Sequence, residues 1–167
     1  MDFEIEQRIA ASPSAVGEAL VDQGFIAATV DLPKVGGAEL LDQRRDGTTV
    51  HQRIRYRFTG DLSSAVTRVV DRDRLTWVDE SDHDLSTHQS DHRIVPEHYQ
   101  DRLQASYSQH LEPDGDENRT HRLISGVMKV KVLLVGGKVE NAIVSGLKEY
   151  AAAEAELLTR WLAKSPG

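Results

Sequence analysis

Cysteine is absent from the sequence. Its absence excludes disulfides, cysteine-ligated zinc, iron–sulfur clusters and thiol nucleophiles together. A long hydrophobic run is also missing. The longest candidate, Val127 to Val135, is interrupted by Lys129 and Lys131 and falls well short of the roughly 18 apolar residues that span a bilayer. Residues 1–11, MDFEIEQRIAA, have neither the basic start nor the apolar stretch of a secretory signal. The expected location is therefore cytoplasmic, and the glycosylation triplet Asn118-Arg119-Thr120 is expected to stay idle. Positive charge is in deficit, with 20 Lys and Arg against 27 Asp and Glu for a net charge of -7. That balance argues against a nucleic-acid partner. The sequence also lacks the phosphate-binding G-x-x-x-x-G-K loop, the dinucleotide-binding G-x-G-x-x-G and the nucleophile-elbow G-x-S-x-G.

What is present reads as one domain over residues 1–167, with no repeat, linker or low-complexity segment. Phe3, Ile5 and Ile9 alternate with charged residues, which predicts a first strand. Ser12-Pro13 offers an N-cap followed by a proline at the first helical position, so a short helix starts there. A second short helix is expected over Phe25–Leu32, and Gly36-Gly37 reads as a turn. A series of strands follows. Ala38–Arg45 is joined by the Asp46-Gly47 hairpin signal to a strand carrying Val50, Gln52, Ile54, Tyr56 and Phe58 on one face. His51, Arg53, Arg55 and Arg57 fall on the other. Leu62–Val70 has a weak pattern, helix or poor strand. Leu75, Trp77 and Val78 mark another strand, with a polar stretch from Asp79 to Asp84 after it. Leu85–Val95 reads as a strand of ambiguous facing. Leu103, Ala105, Tyr107, Gln109 and Leu111 alternate cleanly. The turn Pro113-Asp114-Gly115-Asp116 leads to a last strand over Arg119–Val132.

A long helix is expected over about Lys138–Ala163. At 100° per residue its apolar stripe runs through Val139, Ile143, Gly146, Tyr150, Ala153, Leu157 and Trp161. Strands in series imply an antiparallel sheet, and one long amphipathic helix after them must pack across one sheet face. The opposite face then stays wet, and space between a curved sheet and its helix is where a ligand would sit.

Several constellations have bland readings beside functional ones. His83, His88, His92 and His98 lie among acidic residues. Positions 88 and 92 on one strand are about 13 Å apart, too far to share a metal, so no metal or other cofactor is assigned. Arg53, Arg55 and Arg57 form an outward ladder, read as cross-strand charge pairing ahead of an anionic partner or membrane surface. Gly136-Gly137 reads as a tight turn before the helix ahead of an anion cradle. Gln52 and Gln109 sit on inward faces, where a buried amide needs partners.

The element order resembles the helix-grip fold of the START-like superfamily, which includes polyketide cyclases and birch-pollen-allergen-like proteins (SRPBCC). The stretch Val127 to Glu140, running through Gly136-Gly137 into the helix, looks like a bacterial START-like family of unknown function. Arg93-Ile94-Val95-Pro96 and Asp101-Arg102-Leu103 also look like that family. The resemblance implies an α+β fold with six or seven strands, two short helices after strand one and a ligand cavity. It supplies no catalytic set. The leading expectation is a small hydrophobic or amphipathic ligand, lipid or polyketide-like, held by Gln52, Ile54, Tyr56, Tyr107, Gln109, Met128, Ile143, Leu147 and Tyr150. The alternatives are a cyclase or dehydratase, with Asp91 a possible buried acid, and a protein-interaction domain using the Arg ladder or an Asp79–Asp84 loop.

Overall fold

The computed structural model describes residues 1–164; residues 165–167 of the expected domain lie outside the described residues. Seven strands form one antiparallel sheet in the order β1-β7-β6-β5-β4-β3-β2. They are β1 (Asp2–Ile9), β2 (Val35–Asp46), β3 (Thr49–Phe58), β4 (Thr76–Asp84), β5 (Gln89–Pro96), β6 (Leu103–Asp114) and β7 (Asp116–Val130). The β1-to-β7 pairing joins distant parts of the chain; the other neighbours are consecutive strands, β3 and β4 being linked through residues 59–75. Helix α1 (Pro13–Leu20) and helix α2 (Gln23–Ala28) follow β1, and α3 (Ser64–Thr67) lies between β3 and β4. Ser12 and Asp22 cap the first two helices, accepting from the amides of Ala15 at 3.2 Å and Phe25 at 3.0 Å. Helix α4 (Gly136–Lys164) crosses the inner face of the curved sheet, giving the helix-grip fold.

Several boundaries differ from the sequence reading, each for a local reason. Gly36-Gly37 is not a turn. It lies inside β2 at a bulge, and Gly37 adopts φ 65° there. Asp79–Asp84 is not a loop but the body of β4, paired along its length with β3 and β5. Leu85–His88 is a turn, not the start of a strand. The Asp84 carboxylate accepts from the amides of Ser86 and Thr87, and His88 takes φ 60°. The second helix ends at Ala28 and continues as a single 3-10 turn, Thr29–Asp31.

The helix stripe also differs. Val139, Ile143 and Gly146 are buried as expected, but further along the buried positions are Ala151, Glu154, Ala155 and Leu158. The stripe turns because α4 has two partners. Its first half packs on Phe3, Ile5, Phe58, Ile124 and Met128 of the sheet. Its second half packs on Ile9, Val16, Ala19, Phe25 and Leu111, with Trp161 meeting Phe25 edge-on at 5.7 Å.

Candidate functional site

Between the sheet and α4 lies a cavity of about 140 Å³. Strand register builds its floor as three cross-strand rows. One runs Val50, His83, Ser90, Gln109, Ile124, Ile5; the next runs Gln52, Ser81, His92, Tyr107, Gly126, Phe3; the third runs Ile54, Asp79, Ile94, Ala105, Met128. Period-two alternation puts all of these on the inner face. Helix α4 closes the roof with Ile143, Leu147, Tyr150, Ala151 and Glu154. Gly126 is small for a reason. A Cβ there would stand 2.5 Å from Tyr107 Cβ and 2.4 Å from the Ser106 carbonyl oxygen.

All nine residues expected to face a ligand, Gln52, Ile54, Tyr56, Tyr107, Gln109, Met128, Ile143, Leu147 and Tyr150, lie on the wall of this one cavity. The sequence reading missed the charged and imidazole groups among them: Asp79, His83, His92, Arg122 and Glu154. Asp91, the acid considered there, points outward instead and accepts a hydrogen bond from Ser108 at 2.7 Å. A signal for β4 existed, since Trp77, Asp79, Ser81 and His83 keep one parity. Polar residues on an inner face defeat a search for apolar alternation.

These groups form a chain of hydrogen bonds that ends in a buried ion pair. Asp79 accepts from Tyr107 Oη at 2.6 Å and from His92 Nδ1 at 2.9 Å. His92 Nε2 meets the Ser90 hydroxyl at 2.8 Å. Ser90 in turn accepts from Gln109 Nε2 at 3.3 Å, and Gln109 Oε1 accepts from Arg122 Nε. Arg122 Nη2 then meets Glu154 Oε1 at 2.6 Å, and Tyr150 donates to Glu154 Oε2 at 3.1 Å. The His92 ring stacks on Tyr107, centroids 4.1 Å apart and planes 12° from parallel. A separate branch ties Gln52 to Gln43 at 2.9 Å and to the Leu20 carbonyl at 3.3 Å.

Burial tunes these groups. It pushes the hydroxyls of Tyr107, Tyr150 and Tyr56 above the usual phenolic range, with nearby Asp79 or Glu154 adding to the effect. All three therefore stay protonated near neutrality. Burial, helped by the His92 ring, lowers His83 to about 4. Neutral His83 then takes the Ser81 hydroxyl at Nε2, 3.0 Å away. Both nitrogens of His92 are already engaged, so the network orients groups more than it offers a free base. Among the described residues no cluster of three or more His, Asp or Glu is arranged to hold a metal ion. No described helix is long and apolar enough to cross a membrane.

On the outer face two members of the arginine ladder, Arg53 and Arg55, stand in ion pairs. Arg55 reaches Glu97 at 2.9 Å and Glu39 at 3.3 Å, and Arg53 reaches Glu80 at 3.6 Å. Arg93 also pairs with Glu80. Such exposed pairs, screened by solvent, contribute little to stability.

Solved structures with this fold cover nearly the whole chain at low identity. A protein from Thermus thermophilus is 16% identical over 99% of this chain and 100% of its own, with a TM-score of 0.68. The ZhuI aromatase/cyclase from Streptomyces sp. R1128 is 15% identical over 98% and 94%, at 0.66. Norcoclaurine synthase from Thalictrum flavum is 15% identical over 99% and 87%, also at 0.66. A START superfamily protein from Mycobacterium smegmatis is similar too, 14% identical over 98% and 97%, at 0.57. No curated protein matches. These likenesses establish the START-type helix-grip fold. The sequence model that matches residues 4–162 places the chain in the family described as a protein of unknown function, DUF2505.

Proposed function

We propose that the protein binds a small, ring-bearing amphipathic molecule between sheet and α4. The observation that carries this reading is the cavity itself. Its walls are mostly aliphatic and aromatic, and one side is crossed by the ordered chain from Asp79 to Glu154. A largely apolar pocket with a few fixed polar groups is the usual form of a small-molecule site. Its volume of about 140 Å³ is close to the roughly 150 Å³ of an engineered apolar cavity that takes benzene. That size favours one or two rings over a long acyl chain. Apolar parts of the ligand lie against Ile54, Met128 and Leu147, and its oxygens meet Tyr107, Tyr56 and Tyr150. Neighbours of the same fold include an aromatase/cyclase and a norcoclaurine synthase complexed with dopamine and hydroxybenzaldehyde, which accords with a ring-shaped ligand.

Trp77 lines the cavity, whereas Trp161 packs in the second cluster. Titration of a Trp161→Phe protein with 1-naphthol therefore reports on the cavity. Saturable quenching of Trp77 with a matching rise in unfolding temperature is expected. Absence of saturable binding for 1-naphthol and for 4-hydroxybenzaldehyde would overturn the reading.

A further inference from the structure

The turn between β7 and α4 holds two leucines out into solvent. Leu133 is 86% exposed and Leu134 93%. Leu134 sits at φ 69°, a backbone region that a branched residue seldom adopts without a constraint. The constraint is visible. Gly136 packs so closely on the Val130 carbonyl that a Cβ would stand 2.5 Å from its oxygen. The Gly136 amide donates to Val132 at 3.0 Å, and the Lys131 amide donates to Arg102 at 2.6 Å. A shallow apolar hollow formed by Val69, Tyr99, Val132 and Val139 lies beside the turn, with Val69 itself 45% exposed. The tip is pinned outward while this hollow lies next to it.

Charge around the tip runs against the chain as a whole. Across residues 68–74, 101–102 and 129–140 there are seven Lys and Arg against four Asp and Glu, in a protein of net charge -7. Two of the four acids are turned onto backbone amides: Glu140 accepts from Val130 at 2.9 Å and Asp71 from Asp73 at 2.9 Å. None of the seven bases forms an ion pair among the described residues, unlike Arg53, Arg55 and Arg93 on the outer face. Exposed leucines on a turn whose neighbouring segments carry basic residues without ion pairs match an acyl boundary beneath anionic headgroups.

We propose that this turn docks the protein on an anionic membrane surface, with Leu133 and Leu134 entering the acyl boundary and Arg102, Lys131 and Lys138 facing headgroups. The hollow shares Leu75 and Leu103 with the ligand cavity, so docking sets the cavity's nearer end against the bilayer. The docking itself does not depend on what the cavity holds.

Vesicle flotation of the full chain tests it. Wild type is expected to float with phosphatidylcholine–phosphatidylserine vesicles, to bind phosphatidylcholine alone far more weakly, and to be released by salt. A Leu133→Ser/Leu134→Ser protein should lose about tenfold or more in partitioning, because two buried leucines are removed. Lys131→Glu/Lys138→Glu should lose a comparable factor with both leucines retained. Neither pair lies in the core, so both variants should keep the wild-type unfolding transition. Failure of wild type to float with the anionic vesicles would overturn the proposal. So would leucine variants that float as wild type does. A leucine-dependent dimer that never binds vesicles would equally overturn it, by assigning the tip to a second copy of the chain.

Discussion

Arg122 and Glu154 have side chains only 7% and 8% exposed, and they meet at 2.6 Å across the gap between β7 and α4. The guanidinium is further used by Gln109, while its Nη1 has no partner among the described residues. A buried pair of this kind owes little net stability to its own attraction, but removing one member strands the other. Arg122→Met is therefore expected to lower unfolding free energy by about 3–5 kcal/mol. The double variant Arg122→Met/Glu154→Leu should recover most of that loss, because no charge is left buried. Urea midpoints of the three proteins measure this. His83 gives a pH prediction at the same scale. Its folded value is about 4, against about 6.5 in the unfolded chain. Between those values the unfolded state binds more protons, so stability present above about pH 6.5 falls as pH drops toward 4. The shift corresponds to about 3 kcal/mol. His83→Gln should remove this slope, which the difference between the two proteins' urea midpoints across pH 7 to 4.5 would show.

At the scale of elements, glycines in β7 and α4 separate packing demands from turn demands. Gly126 lies between Tyr107 and Phe3, and a Cβ there meets backbone as well as side chain. Gly126→Ala should cost about 2 kcal/mol through overpacking and tilt Tyr107 off Asp79. Gly137, in the first turn of α4, has nothing within 4 Å of the position a methyl group would take. Gly137→Ala should be neutral or stabilising by up to about 1 kcal/mol. Thermal melts of both proteins give the comparison. The same elements show how far the sequence could be read. Apolar alternation located β1, β3 and β6 and the inward Gln52, Tyr56 and Tyr107, because there the buried side chains are hydrophobic or stand among hydrophobic ones. In β4 and β5 the inner face is Asp79, Ser81, His83, Ser90 and His92, so hydropathy carries the wrong sign and the strand resembled a polar loop. Beyond Tyr150 the α4 stripe shifts, leaving Leu157 and Trp161 only partly buried, for a different reason. A single straight stripe assumes one packing partner, and α1 and α2 supply a second.

For the molecule as a whole, the proposed binding role gives the space under α4 to a ligand rather than to core packing. Cavity linings lack partner atoms on one side, so filling them stabilises and emptying them destabilises. Ala105 tests this trade directly. It faces the cavity in the row of Ile54, Asp79, Ile94 and Met128, and it is only partly buried because the space beyond it is open. Ala105→Leu extends into that space without touching the polar chain from Asp79 to Glu154. The added methyl groups exchange solvent-accessible cavity for apolar contact, and at about 0.8 kcal/mol per buried carbon a gain of about 1 kcal/mol remains after some rotamer cost. Binding should move the opposite way. A cavity of about 140 Å³, sized for one or two rings, cannot hold 1-naphthol and a leucine together, so Trp77 quenching by 1-naphthol should disappear. Higher stability with lost binding identifies the space as the ligand site. Higher stability with binding intact would place 1-naphthol elsewhere on the protein.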